Sequence, residues 1–231
     1  MTKPYVKKYK KVGGLTVFLV DGKYIRENID KEFTNFGQCH KFSFIPQDEM
    51  WLDKERNPDE EEFFIDSMLS IRKSLEDGKT YEEAVKKADK IEKRERMASA
   101  SAKELKKEHR DKILDEIRKK KVMSFGRFNV WIVNGKIIRD LYWLDFTEGG
   151  HDKVYSFVPP DEIWIDDDLS TKEVKPVILH EIFERFFMVL GFSYDWAHYK
   201  ASKIEWFCRK NPFFLRPFMF IFAILNRIVG R

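Results

Sequence analysis

The chain has 231 residues, with 43 basic and 39 acidic side chains and a formal net charge of +4. The charges fall in mixed runs rather than in a basic block, which argues against a bulk nucleic-acid-binding surface. Two distant cysteines, Cys39 and Cys208, form no CxxC, which excludes a disulfide framework and a cysteine-type zinc site.

Free thiols and an N-terminal stretch without a signal-peptide core set the expectation of a cytoplasmic protein, with peripheral membrane association as a variant. Apolar content of 43% is enough for a core under a strongly charged surface.

Shifted by 113 residues, the sequence matches itself without a gap. Val17–Arg26 falls on Val130–Arg139, Phe33-Thr34 on Phe146-Thr147, Ser43–Asp53 on Ser156–Asp166, and Gly78–Ala84 on Gly191–Ala197. Such regularity marks two copies of one unit. The expected organisation is a first repeat over 5–96, a charged helical linker over 97–121, a second repeat over 122–210 and an apolar helix over 211–231.

In chain order, Val-x-Val-(Asp/Asn)-Gly-Lys reads as a hairpin, because Asp-Gly and Asn-Gly suit a type I′ turn. Alternation continues to the (Met/Ile)-Trp-(Leu/Ile)-Asp segment, giving three or four strands. A helix is expected over Asp59–Leu75 and again over Lys172–Leu190, each ended by a glycine, Gly78 or Gly191. Thr80 or Ser193 caps the next helix, and Thr80 with Glu83 forms a capping box.

The class is therefore α+β: a small antiparallel sheet with two helices, duplicated. Lys86–Lys121 is dense in Lys, Glu, Arg and Ala and reads as one long solvated helix, with His109 on its surface.

Asp48, Glu49, Trp51 and Asp53 recur as Asp161, Glu162, Trp164 and Asp166, so they read as structural. Other polar residues occur in the second copy alone. His180 stands against Ser67, Glu181 against Met68, Glu184 against Ile71 and His198 against Val85. Three of these four positions are hydrophobic in the first copy, so they are expected to face inward.

Buried imidazoles and carboxylates need a metal or a closed hydrogen-bond network. The expected ligands are His180, Glu184 and His198, with Glu181 as general base. His151, Glu148, Asp195 and Glu205 are further candidates. His151 and Glu148 lie in the glycine-bearing Thr147–His151 loop, and Glu205 is shared with Glu92. The alternative for Glu181, Glu184 and Arg185 is an ordinary solvated face.

His180-Glu-Ile-Phe-Glu184 resembles the His-Glu-x-x-His helix of zincin-type metallopeptidases. The resemblance implies His180 as a ligand, Glu181 as the base activating water, and Glu184 in place of the second histidine. The second copy also resembles a family of uncharacterised bacterial and phage proteins. The likeness lies in Glu162–Asp166, Leu179-His-Glu181, Glu184-Arg185 and the Tyr194…Ala197-His198…Ala201…Glu205 spacing.

The function expected is a zinc- or other divalent-metal-dependent hydrolase, metallopeptidase-like, with a peptide as its substrate class. The competing expectation is a non-enzymatic interaction or membrane-associated scaffold in which the cluster is a structural network. Asn211–Arg231 is the most apolar stretch, with a helix expected from about Pro217. It reads as too short to span a bilayer, which takes ~20 apolar residues. Burial against the copies or in a dimer is the preferred reading. The other is an interfacial anchor over 213–229, with Arg216, Arg227 and Arg231 at the headgroups.

Overall fold

The structure, a computed structural model, describes residues 2–55, 58–125 and 128–229. Its elements in chain order are β1 (Tyr5–Val12), β2 (Leu15–Val20), α1 (Gly22–Asn28), β3 (Phe36–Gln38), β4 (Glu49–Asp53), α2 (Glu61–Glu76), α3 (Tyr81–Ala98), α4 (Ala100–Leu105), α5 (Arg110–Ile117), β5 (Arg118–Phe125), β6 (Phe128–Val133), α6 (Gly135–Leu141), β7 (Gly149–His151), β8 (Glu162–Asp166), α7 (Val174–Val189), α8 (Tyr194–Lys210) and α9 (Leu215–Val229). The chain divides into two compact units, residues 1–108 with 136–145 and residues 109–135 with 146–231. The fold is α+β with a repeated unit, as the sequence indicates.

Each unit holds a four-stranded sheet, in the order β1-β2-β4-β3 or β5-β6-β8-β7. The outer pairs are antiparallel, but the central pairs, β2 with β4 and β6 with β8, are parallel. The sheet is therefore mixed, not antiparallel as expected. Parallel neighbours need a crossover, and the misread Asp-Gly step supplies it.

Asp21 does not turn a hairpin. Its side chain accepts from the Tyr24 N–H and caps α1. Gly22 is required because a Cβ there would fall 1.7 Å from the Asp53 carboxylate, which instead accepts from the Gly22 N–H at 3.2 Å. Gly135 repeats the close approach, a Cβ there falling 2.2 Å from the Asp166 carboxylate, but its N–H donates to the next residue, Asp167, at 3.2 Å. The real β1–β2 hairpin turns at Gly13-Gly14, both with positive φ.

The long charged helix is also corrected. It breaks at Ser99, whose extended backbone and side chain cap α4, and again at His109 before α5. Residues 118–125 then join a sheet as an edge strand, where Lys119, Lys120 and Lys121 guard its open side. The apolar positions in this stretch are too sparse to bury one face of a single long helix.

The two-residue strand period shows in the packing. Val17, Leu19, Met50 and Leu52 face α2, meeting Phe64, Ile65 and Met68. Val20 and Trp51 face the other way, onto Ile25, Phe33, Phe42 and Ile45. Trp51 donates to Glu49 at 2.7 Å and Trp164 to Glu162 at 2.8 Å, so the shared Trp and acid are structural in both copies. The glycines after α2 and α7 have φ of 80° and 91°, and the Thr80–Glu83 capping box is present.

A buried ion network closes each pair of long helices. In the first unit Arg96 holds Glu60 at 2.6 Å and Glu92 at 2.8 Å, while Arg139 also donates to Glu60 at 2.8 Å. In the second, Arg209 holds Glu173 and Glu205, each at 2.8 Å. Glu60 and Glu173 sit at the N-caps of α2 and α7, where negative charge is favoured.

Removing one partner of such a group strands a buried charge. Glu60→Gln should therefore destabilise the first unit by about 3–5 kcal/mol. Burial raises the Glu60 pKa, but Arg139 and Arg96 outweigh it and hold it below its ordinary 4.5. Its contribution is present above that value and is lost as pH falls through the lowered folded value. Urea denaturation at neutral pH checks this: an unchanged midpoint for Glu60→Gln would show that the network carries no such weight.

Candidate metal centre

Residues Pro176–Arg185 of α7 form an unbroken buried run. Pro176 is tolerated because it lies in the first turn, where no intrahelical N–H bond is made. His180, Glu181, Glu184 and Arg185 are thus committed to the interior and must find partners there. This rules out the solvated-face alternative: Arg185 is fully buried, paired with Asp152 at 2.6 Å and Asp161 at 2.9 Å, and bonded to Asn226 at 3.0 Å.

Two elements converge on the α7 face. The Gly191 turn and the Ser193 cap lead into α8, which brings His198 and Glu205 alongside. β7 brings His151. It approaches closely because Gly149 has no side chain: a Cβ would meet the Trp164 carbonyl oxygen at 3.0 Å and Val177 at 3.2 Å.

Glu184 lies at the centre. Its Oε2 is 2.8 Å from His198 Nδ1 and 3.4 Å from His180 Nε2, and those two nitrogens are 3.2 Å apart. The edges of a tetrahedral site with metal–ligand bonds of ~2.0–2.1 Å are about 3.3 Å. The three donors therefore already stand close to a metal-ligand triangle.

His180 Nδ1 faces Glu205 Oε2 at 2.8 Å, so Glu205 fixes the ring and leaves Nε2 to point at the triangle. This carboxylate–histidine pairing is how metal-binding imidazoles are oriented. Arg209 in turn holds the other oxygen of Glu205 at 2.8 Å. His198 stacks on Tyr194 with ring centroids 5.4 Å apart, and its side chain is 37% exposed, making it the solvent-facing side of the group.

Two sets of potential ligand atoms, His180/Glu184/His198 and His151/Glu181/Glu184, each lie within 4.8 Å of one another and could hold a metal ion. Proton accounting separates them. The Lys153 N–H donates to His151 Nδ1 at 3.1 Å, so the His151 proton sits on Nε2, which donates to Glu184 Oε1 at 3.1 Å. His151 is thereby a donor that orients Glu184, not a ligand.

The other candidates also take different places. Glu205 stands behind His180 rather than among the three donors. Asp195 is exposed in the first turn of α8 and belongs to neither set. Glu148 has a left-handed backbone, φ 60°, a strained state for such a residue. Its counterpart Asn35 does not share it, and Glu148 lies near enough to Glu181 to raise its pKa. A third acidic group, Asp166–Asp168, closes β8, with Asp167 paired to Lys119 and to the start of α6.

The first copy fills the equivalent place with carbon. Ile71 packs with Ala84 and Ala88, with Val85 against them. Glu92 accepts from Ser67 where Glu205 takes His180. The expectation that these positions face inward is met at 180, 181 and 184, while His198, like Val85, is partly exposed.

The charges follow from this geometry. Burial, then the neighbouring Glu184 charge, pushes the Glu181 carboxyl up to about 8. Burial would raise Glu184 too, but hydrogen bonds from His151, His180 and His198 hold it far below the carboxylate range. Burial alone would lower His180; Glu184 and Glu205 outweigh it and raise it well above 6.5. Burial keeps His151 low, in keeping with a neutral donor.

The sequence reading missed Arg209 and Glu173 behind the site. Their signal was the i,i+4 spacing Glu205–Arg209, repeated as Glu92–Arg96.

The raised Glu181 carries a pH prediction. Above its ordinary 4.5 the unfolded chain ionises it, while the metal-free folded chain keeps it protonated until about 8. Its stability cost therefore grows from 4.5 and levels off above 8. Glu181→Gln should stabilise the metal-free protein at pH 8, by roughly 1.4 kcal/mol for each unit of the shift it removes. At pH 4 it should change little. Equal stability of the two proteins at both pH values would contradict the buried, protonated Glu181.

Comparison of the chain with protein-family models, curated proteins and solved structures finds no match.

Proposed function

We propose that the second unit is a divalent-metal centre of the zinc type that serves a hydrolytic reaction on a peptide or similar carbonyl substrate. The observation that carries this reading is the triangle of His180 Nε2, His198 Nδ1 and Glu184 Oε2, with edges of 3.2, 2.8 and 3.4 Å. Two imidazoles and one carboxylate form a catalytic zinc set that leaves a position for water. The likeness of residues 180–184 to the zincin helix agrees with it. A bound zinc would supply Lewis acidity and a water of near-neutral pKa.

The chain's own groups then divide the work. Glu205 and His151 orient His180 and Glu184. Glu181, one residue along from His180, would accept a proton and return it to a leaving group once a bound cation lowers its raised pKa. Substrate would approach over the His198–Tyr194 edge, the exposed side of the cluster.

One observation favours the competing reading of a structural network: the same groups satisfy one another by hydrogen bonds. His180 reaches Glu205 and Glu184, His198 reaches Glu184, and His151 reaches Glu184.

Metal analysis separates the two readings, using protein purified without a histidine tag. The parent and Glu181→Gln should carry about one metal per chain, and His180→Ala should carry none. Any hydrolytic rate should fall by ~10²–10⁴ in Glu181→Gln, the usual weight of a general base. If all three proteins hold the same substoichiometric metal, the network is structural and the hydrolase reading fails.

A further inference from the structure

We infer that the second unit docks on an anionic lipid surface through the outer face of α9 and the adjoining end of α8. Pro212–Val229 is 18 residues long with mean hydropathy 1.5, long and apolar enough by length and composition to cross a membrane, and 17% of it is buried. The expected burial is found on one face of the helix only. Arg231 lies outside the described residues.

Two faces of α9 do different things. The inner face is fastened to α7. Met219 and Ala223 enter the core, and Phe222 packs on Phe183 with centroids 4.0 Å apart. The Asn226 amide donates to the Ile182 carbonyl at 2.8 Å and accepts from Arg185 at 3.0 Å. A bilayer-spanning α9 would have to break these bonds and strand Arg185. The helix is therefore held on the unit with its outer face exposed lengthwise.

That outer face is apolar with a cationic rim. Phe220 is 57% exposed and Ile228 61%, and Phe213 in the preceding turn is 84% exposed. Arg216 and Arg227 lie exposed at either end of the stripe. At the end of α8, Trp206 is exposed and Lys210 lies 3.7 Å over its ring. Aromatic side chains with basic neighbours are the composition of a headgroup-level interface.

Charge selects the occupant. From Trp206 to Arg231 the sequence contains Arg and Lys but no Asp or Glu. A second copy seated on this face by two-fold symmetry would oppose like charges, whereas anionic headgroups complement them.

Co-sedimentation of the full chain with phosphatidylcholine vesicles, with and without phosphatidylglycerol, tests the inference. Binding should require phosphatidylglycerol and reverse in high salt. Arg216→Gln and Arg227→Gln should each weaken partition about fivefold. The double variant Phe213→Ser, Phe220→Ser should abolish binding while keeping its circular dichroism spectrum and melting behaviour, since both sites are exposed. Equal, salt-insensitive binding to neutral vesicles would indicate insertion instead and overturn the inference. So would no binding at all, or self-association without vesicles that the Phe variants remove.

Discussion

A single carboxylate buried among three imidazoles constrains the second unit. Glu184 has two oxygens and three partners: Oε1 faces His151, and Oε2 faces His198 and His180. An ionised group in the interior costs several kcal/mol unless its partners are held in place. The rest of the unit supplies that hold. β7 must pass close enough to α7 to deliver His151, which is why Gly149 stands in the strand. The α7–α8 pair must keep its register, which Glu205, Arg209 and Glu173 lock through a chain of buried ion pairs. Arg185 then ties the same helix to the loop before β8 and to α9.

The duplication gives this arrangement its meaning. Both copies share the ion network at the ends of their two long helices, the Trp–Glu bond in the sheet and the glycine that admits an aspartate at the start of the short helix. At the position of Glu184 and His198 they differ completely. The first copy joins Ile71 and Val85 in an apolar cluster, so the fold does not need charge there. Replacing buried ion networks by well-packed apolar groups is often neutral or stabilising. Copy two thus carries a buried ionic cluster that the shared fold does not itself require.

Much of this was legible in the sequence, and the failures have physical causes. His180, Glu184 and His198 stood out because titratable residues take the places of Ser67, Ile71 and Val85 together. It could not assign His151, whose role depends on which ring nitrogen the Lys153 N–H occupies. Asp21-Gly22 was misread because a helix cap beside a second aspartate and a hairpin turn demand the same dipeptide. The charged stretch hid a strand because an edge strand rich in lysine has the composition of a solvated helix. Arg185 beside Glu184 left a solvated face open as an alternative, since pairing with distant Asp152 and Asp161 leaves no local spacing.

The most direct test of the account is the position of a metal in a crystal of the full chain grown with zinc, found by anomalous diffraction at the zinc edge. One peak is expected, bonded to His180 Nε2, His198 Nδ1 and Glu184 Oε2, with Glu205 still behind His180 and His151 still donating to Glu184. A peak only at Asp166–Asp168, or none within bonding distance of Glu184, would contradict it.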